Sequence, residues 1–246
     1  MFPVNDSKNY FCLADESLSA TRKKGYLFFN DLVKRTIKEL KLYFDRQPDH
    51  LKEHAFEYRE QQIKTFLTLA LGKMTKNNFL QEFPMERVKK RTKKWEYLGN
   101  GFVDYWVATK EVTCFIEVKN EWTRYYPEKK EFTFYKAAAG LLSDAKEQTD
   151  KIKDKGAFFN TKHAFSLGLL ITPIFAYGEE AEIIRMDAAL KEELVRGAKD
   201  LGADILAFWR IGNGRLHGYE LENGGEMEYF PGVVFWGRVK KVSRKK

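Results

Sequence analysis

Twelve residues separate Asp104 from Glu117, which is followed by Val118 and Lys119. Two carboxylates and an ammonium can act as a unit only if neighbouring strands present them together. The segment 112–119 has the pattern of such a strand: Val112, Cys114, Ile116 and Val118 alternate with Thr113, Phe115, Glu117 and Lys119. A period of two turns the first set to an apolar face and leaves Glu117 and Lys119 on the other, ~6.5–7 Å apart. Residues 101–107 read as the preceding strand. A turn centred on Thr109 and Lys110 sets Asp104 near Phe115 and diagonal to Glu117, within reach of a shared ion. Oxygen donors of this kind select a hard divalent cation, Mg²⁺ or Mn²⁺. Such a cation polarises a phosphoryl oxygen and lowers the pKa of a bound water, which is the chemistry of phosphodiester hydrolysis. Lys119 can position the water or meet the charge of the transition state, and the Val118 carbonyl offers a neutral third ligand.

Asp104, a gap of twelve residues and then Glu117-Val118-Lys119 resembles the signature of the PD-(D/E)XK nucleases, the restriction-endonuclease-like superfamily. Val103 stands where that family usually has proline. The resemblance covers roughly residues 53–210. It implies an α/β fold: a restriction-endonuclease-like mixed β-sheet flanked by helices, here with an N-terminal helical extension and a C-terminal β-hairpin. It also implies Mg²⁺-dependent cleavage of nucleic acid, most often DNA, and in many members a homodimer that cuts two strands. On this reading Asp104, Glu117 and Val118 hold the metal, and Asp104, Glu117 and Lys119 are catalytic. The alternatives are a catalytically inactive nucleic-acid-binding protein of the same fold, and an unrelated α/β protein whose Glu117 and Lys119 form a surface ion pair on an edge strand. Retention of all three motif residues argues against the first alternative, and the apolar alternation around them against the second.

Two helices test the resemblance. In 51–71, Phe56, Ile63, Leu67 and Ala70 form an apolar stripe, and Glu60 lies at its edge. A carboxylate at the rim of a buried face needs a partner, and a metal site would supply one. Glu60 thereby resembles the family's first-helix glutamate, which assists metal binding; the plainer reading is a side chain reaching to water. In 135–153, Gln148 falls near the centre of a face set by Ala138, Leu141, Ala145 and Ile152. A glutamine there must find hydrogen-bond partners. It can bind a water or a phosphate oxygen, or merely a backbone carbonyl.

Those helices belong to a longer order. Apolar spacing predicts helices over 25–45, 51–71, 135–153 and 187–199, and strands over 79–88, 101–107, 112–119, 165–171, 204–211, 216–221 and 227–234. Residues 1–22 read as a loosely held arm and 120–134 as a polar, aromatic loop. The regions are 1–50, an arm and helix packed on the core; 51–211, the nuclease-like core; and 212–246, a hairpin and basic tail. All three form one structural domain.

The chain of 246 residues carries 43 Lys and Arg against 35 Asp and Glu, a net charge of +8, and 43% hydrophobic residues. That is enough for a real core and excludes wholesale disorder. The basic residues cluster. Lys89, Lys90, Arg91, Lys93 and Lys94 form one block and 238–246 another, and Arg124 sits among Tyr125, Tyr126 and Phe132. Such clusters favour phosphate backbones, although a solvated hairpin, a frayed end and a packed loop would look the same. The longest apolar stretch, 165–177, is broken by Ser166, Gly168, Thr172 and Pro173 and is too short to span a bilayer, so no membrane contact is expected. Cys12 and Cys114 alone cannot build a disulfide framework, and no secretory leader is visible, so a cytoplasmic location is expected.

Overall fold

Short β-rich runs and longer amphipathic runs alternate along the chain and become β1 (Phe2–Ser7), β2 (Tyr10–Ala14), α1 (Ala20–Arg46), α2 (Glu60–Thr75), β3 (Phe79–Arg91), β4 (Lys94–Ala108), β5 (Val112–Asn120), β6 (Thr123–Tyr126), β7 (Glu131–Phe134), α3 (Lys136–Asp150), β8 (His163–Tyr177), α4 (Asp187–Leu201), β9 (Ile205–Arg210), β10 (Gly218–Glu220) and β11 (Met227–Lys241). The structure is a computed structural model and describes residues 2–7, 9–15, 20–48, 53–55, 60–91, 94–126, 129, 131–134, 136–150, 161–179, 183, 187–211, 218–220 and 227–242. For 85–91 and 94–98, among others, only the backbone is described.

The strands form one 11-stranded sheet whose main path runs β1-β2-β9-β11-β8-β5-β4-β3. Most neighbours are antiparallel. β5 and β8 are parallel, as are β6 and β8. Leu32, Phe29 and Ile37 of α1 and Ile63, Leu67 and Ala70 of α2 share a cluster with Ile116, Val118, Leu169 and Phe235. Leu142 of α3 and Leu194 and Ala198 of α4 share another with Leu170, Leu206 and Trp236. Consecutive strand residues point to opposite faces, so Leu169 and Leu170 put these clusters on opposite sides of the sheet. The protein is therefore a mixed α/β sandwich of two helices, a sheet and two helices, counting described residues. None of these helices is long and apolar enough to cross a membrane.

Two expectations change at the ends of the chain. Residues 10–14 are no loose arm: Tyr10, Cys12 and Ala14 enter one core cluster and Phe11 and Leu13 the other. Five residues buried on both faces show no alternation, which hides a strand from a search for period two. The last long strand, β11, is no terminal appendage either. It lies between β9 and β8, in register with both. The expected basic tail begins inside it, where Arg238 Nε and one terminal nitrogen donate to the carbonyls of Gly202 and Leu201, both at 2.6 Å. Arg238 thus caps the end of α4. Residues 243–246 lie outside the described residues.

Gly72 does not end α2, as its type would imply. The helix runs on to Thr75, and the stop comes at Lys76 and Asn77, which take φ of 56° and 65°. The expected aromatic loop is the β6–β7 hairpin, with Tyr125 in the core at 1% exposure.

Gly168 of β8, the register partner of Glu117, lies against the backbone of α3. A Cβ there would lie 2.9 Å from Lys146 N and 3.2 Å from Ala145 C. Both are helix backbone and cannot rotate away. Gly168→Ala is therefore expected to destabilise the fold by about 1–3 kcal/mol, the range for an overfilled core. Urea unfolding measures this, and an unchanged midpoint would mean α3 is not seated on β8 at this level.

Candidate active site

The β4–β5 hairpin pairs Tyr105 with Ile116, Trp106 with Phe115, Val107 with Cys114 and Ala108 with Thr113. This register places Asp104 level with Glu117 rather than with Phe115. The turn centre is one residue later than expected because Thr109 closes the turn from its corner. Its Oγ1 accepts from the Val112 N–H at 2.9 Å, and its own N–H donates to the Val112 carbonyl at 2.7 Å. Moving a turn centre by one residue shifts the register by two, so every side chain keeps its expected face.

Asp104 lies where the sheet kinks. Gln81 pairs with Tyr105 and Phe83 with Val103, while Glu82, between them, has a φ of 46°. Tyr105 and Val107 belong to the core under α1 and α2, whereas Val103 packs with Phe83, Phe115 and Ala164 on the opposite face. Residues two apart on a regular strand share a face, so β4 changes face at Asp104. The Asp104 carboxylate then fills the gap that opens towards β5. Its Oδ2 accepts the Val118 N–H at 2.7 Å, and its Oδ1 accepts from Lys64 Nζ at 2.7 Å. The Asp104 backbone lies close enough to the Glu117 carboxylate to help hold its pKa down. In an extended strand the N–H and C=O of one residue leave on the same side, so the Val118 carbonyl opens into this gap as well.

Glu117 is 4% exposed on a strand flanked by β4 and β8, so its pair with Lys119 is interior, not a surface pair on an edge strand. Lys119 Nζ lies 2.9 Å from Glu117 Oε1. Glu117 Oε2 is buried with no hydrogen-bond partner among the described residues. Burial raises the Glu117 pKa and the charge of Asp104 adds to the rise; Lys119 and the Asp104 backbone act against it, and the net shift is upward. A carboxylate held in this state costs free energy when ionised, unless a cation meets it.

A pH dependence follows. Folded, metal-free protein holds the Glu117 proton more tightly than the unfolded chain does. Between the ordinary glutamate value of 4.5 and the raised one, the native state binds more protons, so this group's contribution to stability falls as pH rises. Melting temperatures in chelator should show this decline in the wild type and lose it in Glu117→Gln. Stabilisation by Mn²⁺ should grow over the same window, because the proton must leave before the oxygen can coordinate.

Glu60 reaches the site through an intermediary. Its Oε1 lies 2.6 Å from Lys64 Nζ, the same ammonium that meets Asp104. Glu60, Lys64 and Thr68 form a row at spacing four beside the apolar stripe of α2. The Lys64 carbonyl accepts from Thr68 Oγ1 at 2.8 Å and from the Tyr105 hydroxyl at 2.9 Å, which anchors this turn of α2 to the residue after Asp104. Burial lowers the Lys64 pKa, and the hydrogen bonds it donates to Asp104 and Glu60 more than reverse this, so its net shift is upward and it stays charged. Among the described residues no three His, Cys, Asp or Glu side chains gather as a metal-holding group. The oxygens at hand for a hard cation are those of Asp104, which already accept from Lys64 and the Val118 N–H, those of Glu117, and the Val118 carbonyl. The partnerless, buried Glu117 Oε2 is the observation that fits them to one.

Comparison of the chain with protein-family models, with curated proteins and with solved structures finds no match in any of the three.

The other candidate residues are spread around this centre. Gln148 is half-buried on α3, one turn beyond the Ala145 that abuts Gly168. The buried face of α3 runs Ala138, Leu142, Ala145, Thr149, so Gln148 flanks that face instead of centring it; Ile152 lies outside the described residues. The Arg124 guanidinium is sandwiched between the rings of Tyr126 and Tyr177, at 4.4 and 4.5 Å, and Lys129 covers the Tyr126 ring at 5.3 Å. Cations hold these ring faces, which would otherwise be open to bases. Lys89, Lys90, Arg91 and Lys94 lie at the far end of the β3–β4 hairpin, where Arg91 pairs with Lys94; their side chains, and Lys93 altogether, lie outside the described residues. Cys114 is fully buried with its thiol pKa pushed well up, and is a core residue.

One contributor escaped the sequence reading. Lys64 was legible in principle, since it sits four residues after Glu60 in the orientation that favours an ion pair.

Proposed function

We propose that this protein is a metal-dependent nuclease that hydrolyses phosphodiester bonds in nucleic acid, most plausibly a DNA endonuclease, on a restriction-endonuclease-like core. One observation carries the reading. Where β4 parts from β5, Asp104 and Glu117 are held against each other's strands, with a buried Glu117 oxygen that has no partner and a lysine at 2.9 Å from the other. A structural ion pair would satisfy both oxygens; a site for a hard cation needs one left open.

Asp104, Glu117 and the Val118 carbonyl would hold Mg²⁺ or Mn²⁺. Bound there, the cation would supply Lewis acidity and a more acidic water. The chain's own groups do the rest. Lys119 orients water or a phosphoryl oxygen beside Glu117, and the kink at Asp104 keeps its carboxylate aimed into the gap. Water adds to phosphorus, the bond from phosphorus to the leaving oxygen breaks, and that oxygen takes up a proton. The basic hairpin end with Lys89, Lys90, Arg91, Lys93 and Lys94, together with Arg124, would track the phosphate backbone. A homodimer would bring two such sites to two strands.

The test is incubation with supercoiled plasmid, linear duplex, single-stranded DNA and structured RNA, each in Mg²⁺, in Mn²⁺ and in chelator. Metal-dependent cleavage that disappears in Asp104→Ala and in Lys119→Ala supports the reading and identifies the substrate. Nucleic-acid binding without cleavage in either metal would favour the inactive binding protein. Cleavage that survives both substitutions would remove this site from the chemistry.

A further inference from the structure

We propose that Lys64 is a built-in cation that occupies the place of a second metal ion, so that this site takes a single divalent ion, on Asp104, Glu117 and the Val118 carbonyl. The inference rests on the nuclease reading of the same site. Lys64 Nζ lies 2.6 Å from Glu60 Oε1 and 2.7 Å from Asp104 Oδ1. Asp104 thus has a cation on one oxygen and the Val118 N–H on the other. Glu60 has its charge matched by the same ammonium before any metal arrives.

The ammonium is not a mobile surface charge. Its side chain is 12% exposed, and its backbone carbonyl takes two hydrogen bonds, from Thr68 and from Tyr105. It is seated by the helix and by the strand that carries Asp104. On the other side of Asp104, Glu117 Oε2 is buried with nothing bound to it. One flank of the site is therefore filled by a protein cation; on the other, Lys119 meets Glu117 Oε1 at 2.9 Å and leaves Oε2 open. In this arrangement Lys64 is a positioning residue: it neutralises Glu60, holds Asp104 in the gap and leaves the open flank to the metal. Removing its charge would leave Glu60 and Asp104 facing an empty position between two carboxylates, which is itself attractive to a hard cation.

The experiment counts Mn²⁺ bound per chain, by titration calorimetry and by the loss of the free-ion signal in electron paramagnetic resonance. The expected result is a single ion for the wild type, a second ion for Lys64→Gln, and a return to a single ion for Lys64→Gln combined with Glu60→Gln. A single ion in Lys64→Gln would overturn the proposal and leave the nuclease reading standing. Two ions in the wild type would overturn it as well. No ion in the wild type or in any variant would overturn the nuclease reading, and the proposal with it. Because the substitution touches a packed side chain, the wild type is also probed by reductive methylation with formaldehyde and borohydride, followed by peptide mass spectrometry. Lys64 is expected to stay unmodified with and without Mn²⁺, while Lys73, at 54% side-chain exposure, reacts in both. Methylation of Lys64 that appears on adding Mn²⁺ would show that metal displaces the ammonium, and would overturn the proposal.

Discussion

Asp104→Ala is expected to abolish cleavage and to lower the melting temperature of the metal-free protein by roughly 6–12 °C. The stability loss follows from what the carboxylate holds. Its oxygens accept from Lys64 Nζ and from the Val118 N–H, both at 2.7 Å, on a side chain 10% exposed. Alanine leaves the Val118 N–H unpaired and Lys64 with Glu60 alone. Removing one partner of a largely buried pair costs about 3 kcal/mol at the lower end of its range, and each kcal/mol moves the midpoint of a chain this size by about 2–4 °C. Asp104→Asn separates the two effects. Its amide oxygen can still take the Val118 N–H, so the thermal loss should be less than half as large, while an uncharged oxygen loses the metal and cleavage is still lost. Scanning calorimetry in chelator and a plasmid-cleavage assay read both. An unshifted melting point in the alanine variant would mean that the bridge from α2 through Asp104 to β5 is not formed in solution.

Lys119→Ala is expected to reduce cleavage by about 10²–10⁴-fold, the range for losing one positioned proton-transfer or charge-stabilising group. Its effect on metal binding should run the other way. Lys119 lies 2.9 Å from Glu117 Oε1 and is one of the influences that hold the Glu117 pKa down. Without it the carboxylate has lost the cation that pairs with it, so stabilisation by Mn²⁺ should persist or increase at pH values where Glu117 is ionised. Lys119→Arg should restore little activity, because a planar fork does not reproduce a compact ammonium. The discriminating measurement is the melting-temperature gain from Mn²⁺ alongside the cleavage rate. Loss of both together would make Lys119 a structural prop for Glu117 with no part in the chemistry.

Most element types were legible in the chain, and two of the exceptions share a cause. β5 could be read because its two faces differ in residue type although both are buried: Val112, Cys114, Ile116 and Val118 on one, Thr113, Phe115, Glu117 and Lys119 on the other. β2 and the later part of β11 could not be placed, because strands covered on both faces carry no alternation and nothing local says which neighbours they have. β11 ends up between β9 and β8, and that position is set by pairings with residues far away in sequence.

The candidate site divides along the same line. Its motif residues, their order and the common face of Glu117 and Lys119 follow from the sequence by itself, because a period of two is a property of neighbouring residues. Three features were decided only by tertiary structure. The register came from the hydrogen bonds of Thr109 to Val112. The change of face at Asp104 accompanies a left-handed residue, Glu82, on the adjacent strand. The approach of Lys64 came from the docking of α2, fastened by Tyr105. The last two join residues far apart in sequence with no periodic signal between them, so they meet only when the helix and the two strands have packed; the first is a local turn whose hydrogen bonds no hydrophobic pattern marks.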